Sequence, residues 1–179
     1  MVELKAQSPF ADLLPLKIGG VSVEALGLGH LTVLGDLGNR SALAEALKQA
    51  HGLALPEPLR STENGATRCI WFGRNEVLLV GTPPDAALVK AAAVVDVSDG
   101  WAAVQLSGAE AEEVLARLVP VDVRASVFER GHTLRSQLRE IPVSLTRSEG
   151  GFLLLVPRSM AATGVQELRR AMEAVASRR

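Results

Sequence analysis

The sequence predicts an α+β fold in which mostly antiparallel sheets are covered by helices and one unit occurs twice. The predicted strands come in adjacent pairs rather than singly between helices, which favours antiparallel sheets over a doubly wound parallel sheet. The first half has the order strand, strand, helix, strand, strand, helix, and the second half repeats this order with one more strand. Residues 31–50 correspond to 102–118 and residues 76–92 to 152–172, which indicates an internal duplication.

The length of 179 residues fits one domain of ordinary size. We predict an N-terminal arm over 1–19 and a single duplicated domain over 20–179, with half-units at about 20–92 and 93–179. The hydrophobic fraction of 47% and the charged fraction of 22% are typical of a globular protein. A chain of this size can bury a hydrophobic core without the help of disulfide bonds or bound metals.

In the first half, alternating or continuous apolar residues predict strands, and a helical spacing of apolar residues predicts the first helix. These elements cover residues 21–25, 31–34 and 41–50. Gly52 ends the helix, and the stretch 52–67, which carries prolines and an Asn-Gly pair, is predicted as a mobile surface loop.

Two strands over 68–72 and 76–80 follow, joined by a tight turn at Gly73-Arg74-Asn75. The next helix is predicted to run to about residue 92. Thr82 and Asp85 have the spacing of a capping box, and the prolines between them suit the first helical position.

The second half begins with strands at 94–97 and 101–106, which the Asp99-Gly100 pair is predicted to join as a hairpin. Ser107 and Glu110 have the spacing of a second capping box, and Pro120 ends the helix that they open. Three strands and a final amphipathic helix complete the chain, over residues 133–138, 141–146, 151–156 and 159–177.

Composition restricts the possible partners and location. The net charge is −1, so no general field attracts nucleic acid or an anionic membrane. Aromatic residues make up only 3%, which leaves few rings for stacking on bases. A single cysteine agrees with a reducing compartment, and neither an export signal nor a long apolar span is visible. These observations predict a cytoplasmic protein that binds neither nucleic acid nor a membrane.

Asp96 and Asp99 form the sharpest polar feature. Two carboxylates three residues apart could share a proton or bind an amine. Alternatively, Asp99 belongs to a hairpin turn while Asp96 caps a backbone loop. The second interpretation is favoured, because no base, acid or metal partner lies nearby in the sequence.

The remaining reactive residue types favour structural roles. Cys69 lies in an apolar strand and is expected to be a buried small hydrophobe. His51 precedes a glycine at a helix end, where a cation is favourable, while His30 and His132 lie beside glycines in turns. No pair has the spacing of a zinc site. We therefore predict no catalytic residue and no metal site in this chain.

Three residues are candidates for a protein interface. Trp71 and Trp101 lie at strand ends, and each is either a core residue or an anchor for a partner. Arg158 lies just before the last helix, where a cation opposes the helix dipole, so we expect it to have an acidic partner.

Five segments, in their order and spacing, resemble the gamma subunit of heterotetrameric sarcosine oxidase. They are SPFADLLP near the start, WFGRNEVLLVG at 71–81, VVDVSDGWAAVQLSG at 94–108, AEEVLARLVPVDV at 111–123 and LLLVPRSMA at 153–161. The most specific pieces are the turn Asp96-Val97-Ser98-Asp99-Gly100 and the step Val156-Pro157-Arg158-Ser159. The resemblance covers most of the chain.

This resemblance implies a fold like the folate-binding domain of aminomethyltransferases, and a place in an enzyme that oxidatively demethylates sarcosine to glycine. It implies alpha, beta and delta subunits as partners. FAD, FMN and NAD would be carried by alpha and beta, tetrahydrofolate would be used by alpha, and delta would bind zinc. The chain itself would then be a structural subunit with no cofactor of its own. The alternative is a stand-alone relative that binds a tetrahydrofolate carrier, with Asp96 or Asp99 paired to the pteridine ring edge.

Overall fold

The computed structural model describes residues 7–178, so the first six residues of the predicted arm lie outside the described part. The first half contains β1 (Leu16–Ile18), β2 (Val21–Leu26), β3 (Leu31–Asp36), α1 (Arg40–His51), β4 (Ser61–Asn64), β5 (Thr67–Gly73), β6 (Glu76–Val80) and α2 (Leu88–Ala91). The second half contains β7 (Ala92–Asp96), β8 (Trp101–Gly108), α3 (Ala111–Leu115), β9 (Thr133–Leu138), β10 (Ile141–Ser148), β11 (Gly151–Pro157) and α4 (Ala161–Ala176). Short 3₁₀ turns precede β1, β8 and α4. No helix among the described residues is long and apolar enough to cross a membrane.

The strands form two antiparallel sheets with the same internal order. The six-stranded sheet has the order β1-β2-β8-β11-β10-β9, and the five-stranded sheet has the order β4-β5-β6-β3-β7. Thus β3, β4, β5 and β6 of the first half take the places that β8, β9, β10 and β11 take in the second. The predicted α+β fold, with antiparallel sheets and duplicated units, is confirmed.

One strand near the start of each half, β2 in the first and β7 in the second, pairs in the sheet of the other half. β2 precedes β3 in the chain but pairs with β8, from Val21 opposite Gly108 to Leu26 opposite Ala103. Likewise, β7 precedes β8 but pairs with β3. Each sheet is therefore completed by a strand from the other half, and the two halves are interlocked. Pairing between distant segments leaves no local signal in the sequence, so this exchange was not predicted.

The core consists of three layers of apolar side chains, which give the order helices, sheet, sheet, helices. In β11, Phe152, Leu154 and Val156 pack in the cluster that contains α3 and α4, whereas Leu153 and Leu155 pack in the cluster that contains Ile70, Phe72 and Leu78 of the other sheet. A third cluster joins Leu34 and Leu79 to Leu43 and Leu47 of α1. β11 is buried on both faces, which explains why its sequence is a continuous apolar run.

Helix α1 lies where the sequence predicts it, because both of its ends are capped. The Asn39 side-chain oxygen accepts the Ala42 backbone N–H at 3.0 Å, and Gly52 takes a left-handed conformation with φ of 66°. His51 is the last helical residue, where a cation matches the helix dipole.

The capping boxes predicted for α2 and α3 are wrong. Asp85 accepts the backbone N–H of Ala87 at 2.8 Å, and α2 is reduced to four residues before the chain enters β7. The Ser107 hydroxyl is 2.8 Å from that of Ser22 on the neighbouring strand. Ser107 therefore links β8 to β2 across the sheet and does not cap a helix.

Two loop predictions also need correction. The stretch 52–67, predicted as a mobile loop, contains β4, whose Ser61 lies opposite Ile70 of β5. The Asp99-Gly100 pair is not a hairpin turn, because it lies in a 3₁₀ turn where the chain leaves β7 in one sheet and enters β8 in the other. A turn that joins neighbouring strands and a turn that crosses between sheets contain the same residue types. The local sequence therefore did not distinguish the two kinds of turn.

Two glycines allow strand backbones in the six-stranded sheet to approach closely. Gly108 has φ of +118°, and a Cβ built on it would lie 2.0 Å from the Gly20 carbonyl oxygen. Gly151 has φ of +125°, and its Cβ would lie 2.3 Å from the Leu106 carbonyl oxygen. Both contacts involve backbone atoms, so no side chain can move aside to make room.

Candidate partner interface

The two connections that carry exchanged strands between the sheets meet side by side. The Val97 backbone N–H donates to the Leu31 carbonyl at 2.8 Å, and the Leu31 N–H donates to the Ser98 hydroxyl at 3.0 Å. Next to this contact is a surface depression of about 320 Å³, which we call the junction depression. Its walls include Leu26, Leu28, Leu31, Ser98, Trp101 and Arg158.

The junction depression brings together two of the three predicted interface residues. Trp101 lies opposite Pro157 in the pairing of β8 with β11, so Arg158 is one residue beyond its cross-strand neighbour. The expected acidic partner of Arg158 is not found in the described part of the chain. Instead, its Nη2 donates to the Gln7 carbonyl oxygen at 2.7 Å, which ties the arm to the start of the last helix.

Trp101 belongs to an aromatic and cationic cluster between the two sheets. Its ring meets that of Phe72 edge to face, with the centroids 5.2 Å apart. The Arg135 guanidinium lies 4.1 Å from the Phe72 ring centre and 5.1 Å from that of Trp101, and it donates to the Phe72 carbonyl at 3.1 Å. Desolvation lowers the pKa of Arg135, and the negative charge of Glu76 only partly offsets this effect. Arg135 was not predicted as a site residue, because an arginine in an alternating strand normally indicates a solvated face.

Replacing Arg135 by alanine is expected to lower the free energy of unfolding by about 1 kcal/mol, since the cation–π contacts and one hydrogen bond are lost. In a Trp71→Phe background, Trp101 is the remaining tryptophan, and its fluorescence emission should shift. Arg74→Ala, in an exposed turn, is the matched control. Equal emission spectra and equal denaturation midpoints for the two alanine variants would contradict the role assigned to Arg135.

The two candidate carboxylates have separate environments. Asp96 Oδ1 accepts the Ser98 hydroxyl at 2.6 Å and the Ser98 backbone N–H at 2.9 Å. The hydrogen bond from the Ser98 side chain, followed by that from its backbone, holds the pKa of Asp96 below its usual value. Asp96 thus stabilises the connection between the sheets, in agreement with the loop-capping interpretation. Asp99 lies in the exposed 3₁₀ turn that follows.

Trp71 lies apart from this site. Ile70 and Phe72, its neighbours in β5, pack between the sheets, and alternation along a strand places Trp71 on the other face. Two of the histidines are also apart, since His51 ends α1 and His132 contacts the Phe128 ring. His30, whose carbonyl accepts the Gly81 N–H, lies between two residues of the junction depression and is close enough to Asp96 to act on its charge. Among the described residues, no group of three or more potential metal ligands is present.

Cys69 is fully buried in the cluster beneath α1. Burial raises the pKa of its thiol to about 12, although the charge of Arg40 acts in the opposite direction. The thiol is therefore protonated at neutral pH and is a poor nucleophile.

We expect Ellman's reagent to label native Cys69 at pH 8 about 1,000-fold more slowly than the unfolded chain, because the thiolate fraction falls tenfold for each unit of pKa. Above pH 9 the unfolded chain loses this proton first, so the stability that the protonated thiol contributes should decline as the pH rises toward about 12. Rapid stoichiometric labelling of the folded chain would contradict this prediction.

A polar crevice at the opposite edge joins the two sheets through charges. Arg130 pairs with Glu63 of β4 and, at 3.3 Å, with Glu149, while Arg68 Nε lies 3.7 Å from Glu63. The crevice encloses about 270 Å³. Because these side chains are partly exposed and mutually paired, we interpret the network as a link between the sheets.

Comparisons with known proteins are consistent with one another. The model of the sarcosine oxidase gamma subunit family matches residues 35–172. A sarcosine oxidase subunit gamma from Arthrobacter sp. is 28% identical over 166 residues, which cover 85% of this chain and 82% of that protein.

The fold is also found in a solved assembly. A chain of the heterotetrameric sarcosine oxidase from Corynebacterium sp. U-96, solved in complex with pyrrole 2-carboxylate, has a TM-score of 0.79 and 24% identity. The match covers 96% of both chains. The family match spans well over half of the sequence, including the exchanged strand β7 and the Trp101–Arg158 pair. This chain therefore belongs to the sarcosine oxidase gamma subunit family.

Proposed function

We propose that this chain is a non-catalytic structural subunit of a heterotetrameric sarcosine oxidase. In this role it supports the oxidative demethylation of sarcosine to glycine by its partner subunits. The observation that carries the proposal is the family match over residues 35–172, together with a shared fold over 96% of a chain from a heterotetrameric sarcosine oxidase.

The surroundings of the potentially reactive side chains support a structural role. Asp96 is bonded to Ser98, the Cys69 thiol is buried and protonated, and Arg158 is bonded to a backbone carbonyl. The Asp96 and Arg158 bonds each hold one part of the fold against another, and Cys69 is a core residue. Trp71, Trp101 and Arg158 remain our candidates for the contact with partners.

The proposed partners are the alpha, beta and delta subunits, in a cytoplasmic complex. FAD, FMN, NAD, tetrahydrofolate and zinc would be held by those subunits, so this chain would need no cofactor of its own. Its contribution is then to bury apolar surface against the larger subunits, as obligate interfaces of more than roughly 2,000 Å² do. The alternative of a stand-alone folate-binding relative is not favoured, because the chain belongs to the gamma subunit family.

Co-expression with candidate alpha, beta and delta subunits tests the proposal. The tagged chain should co-elute with them in one complex, and omission of the chain should reduce flavin content and sarcosine oxidation. Separate elution of the chain, with flavin content and activity unchanged in its absence, would overturn the proposal.

A further inference from the structure

Two of the outer edges of the sheets close against each other. At the edge formed by β4 and β9, the Thr133 N–H donates to the Leu59 carbonyl and the Ser61 N–H donates to the Gly131 carbonyl, with Arg60 bridged to His132. These bonds connect one sheet to the other. An extended partner strand therefore cannot pair at this corner without breaking them.

The outer edge of β7 differs from this corner. In the described part of the chain, β7 pairs only with β3, from Ala92 opposite Asp36 to Asp96 opposite Thr32. The bond from the Val97 N–H to the Leu31 carbonyl fixes the alternation, so the backbone groups of Val94 and Asp96 point away from β3. An edge of this kind is a template for another strand.

β7 has few of the features that protect sheet edges, and its one charged residue is Asp96 at the end of the strand. It is five residues long and carries no proline and no lysine. The Val95 side chain is 53% exposed, and Val89, on α2 just before the strand, is 62% exposed. Apolar side chains exposed beside unpaired backbone groups are typical of a binding edge.

The duplication shows what fits such an edge. β2 is the equivalent of β7, because β2 lies beside β8 as β7 lies beside β3 in the matching order of the two sheets. The outer edge of β2 is occupied by β1, a short antiparallel strand that places Leu16 opposite Val23 and Ile18 opposite Val21. No strand of the described chain takes this place beside β7. The same fold thus displays one filled edge and one open edge.

We propose that an extended segment of a companion subunit adds to the outer edge of β7 as a further strand, in the place that β1 takes beside β2. The proposal rests on the proposed function for the identity of the companion as a subunit of the oxidase. Hydrogen bonds to Val94 and Asp96 hold the added strand, and an apolar side chain of the companion covers Val95.

Charge adds to the specificity of this edge. Asp96 and Asp99 are exposed at the end of β7, and no salt bridge within residues 7–178 includes either of them, although the charge of His30 acts on Asp96. A lysine or arginine of the companion segment would complement them at that end. The opposite end carries Lys90, so a segment in the reverse orientation would place its basic residue beside a like charge.

The small area of the edge argues against a second copy of this chain as the occupant. It favours a companion that also contacts other surfaces of the chain. Stable specific interfaces bury roughly 1,200–2,000 Å². A strand of five residues, with two residues directed outward, is too small to hold a dimer alone. A larger subunit that contacts other surfaces of the chain can supply the remaining area.

Two variants and a matched control test the proposal in the co-expressed complex. Val95→Lys places a charge on the open edge, and Val94→Pro removes a backbone N–H that points away from β3. Val127→Lys makes the same change at a valine of nearly the same exposure, 54%, in the loop between α3 and β9. Affinity is measured by co-purification across a dilution series, and amide hydrogen exchange of residues 92–96 is compared in the isolated chain and in the complex.

We expect Val95→Lys to weaken retention at least about tenfold relative to Val127→Lys, and exchange at 92–96 to slow in the complex. Equal retention of the two lysine variants, or unchanged exchange, would overturn the edge proposal and leave the proposed function intact. If the unaltered chain never co-purifies, both proposals fail. If the isolated chain forms a dimer and Val95→Lys dissociates it, the edge binds a second copy of this chain. That result would overturn the proposal of a companion subunit at this edge.

Discussion

Replacing Gly108 by alanine should lower the free energy of unfolding by about 3 kcal/mol or more and loosen β2 from β8. The left-handed backbone, with φ of +118°, disfavours any side chain, and the new Cβ would meet the Gly20 carbonyl oxygen at 2.0 Å. Relief of this overlap requires the two strand backbones to separate. The exchanged strand β2 then loses its pairing in the six-stranded sheet.

Gly27→Ala is the matched control for this substitution. A Cβ at Gly27 meets no atom within 4 Å, so this variant should remain within about 1 kcal/mol of the unaltered chain. Urea denaturation of the isolated proteins, followed by circular dichroism, measures both effects. Denaturation midpoints that coincide for the two variants would show that the close approach of β2 and β8 is not needed for stability.

Cutting the chain between Ala91 and Ala92 should give two fragments that do not fold alone but fold when mixed. The first fragment keeps β3 but loses β7 from its sheet, and its own β2 keeps only the short strand β1 and loses β8. The second fragment keeps β8 but lacks β2 beside it. Each would therefore expose a central strand with an unpaired edge, which costs more free energy than a single half can supply.

Far-ultraviolet circular dichroism and size exclusion of the separate and mixed fragments measure this interdependence. A second fragment that carries Gly108→Ala is the internal control, because it should fail to recover the native spectrum when mixed with the first. Cooperative unfolding of either fragment by itself would contradict the interlocked arrangement. The predicted half-units at 20–92 and 93–179 would then be separate domains.

Local signals in the sequence predicted much of the secondary structure. Strands β5 and β6 were predicted because β-branched and aromatic residues flank a glycine-bearing turn, and α4 because its apolar residues recur at helical spacing. α2 was predicted too long, since the prolines resemble a helix start. The Asp85 carboxylate bonds to Ala87 there, and the chain must enter β7 within a few residues.

The tertiary arrangement depends on contacts that the sequence does not display. The predicted pair Trp101 and Arg158 lies together because β8 pairs with β11 over a separation of about fifty residues. The stacking of Arg135 on Phe72 joins strands of different sheets. Pairings at such distances are selected by the packing of the whole core, so only the residue types, and not their neighbours, could be predicted.

The short strand β1 determines how many neighbours this architecture can accept. A duplicated chain with two equivalent open edges could join others on both sides and extend into a filament. β1 closes the edge of β2 from within the chain and leaves that of β7 as the counterpart. The edge that β1 leaves outside is only three residues long, so among the described residues β7 is the longer of the two strands that end a sheet away from the β4–β9 corner. If the proposed companion strand adds at β7, this asymmetry favours one companion for each chain over growth on both sides.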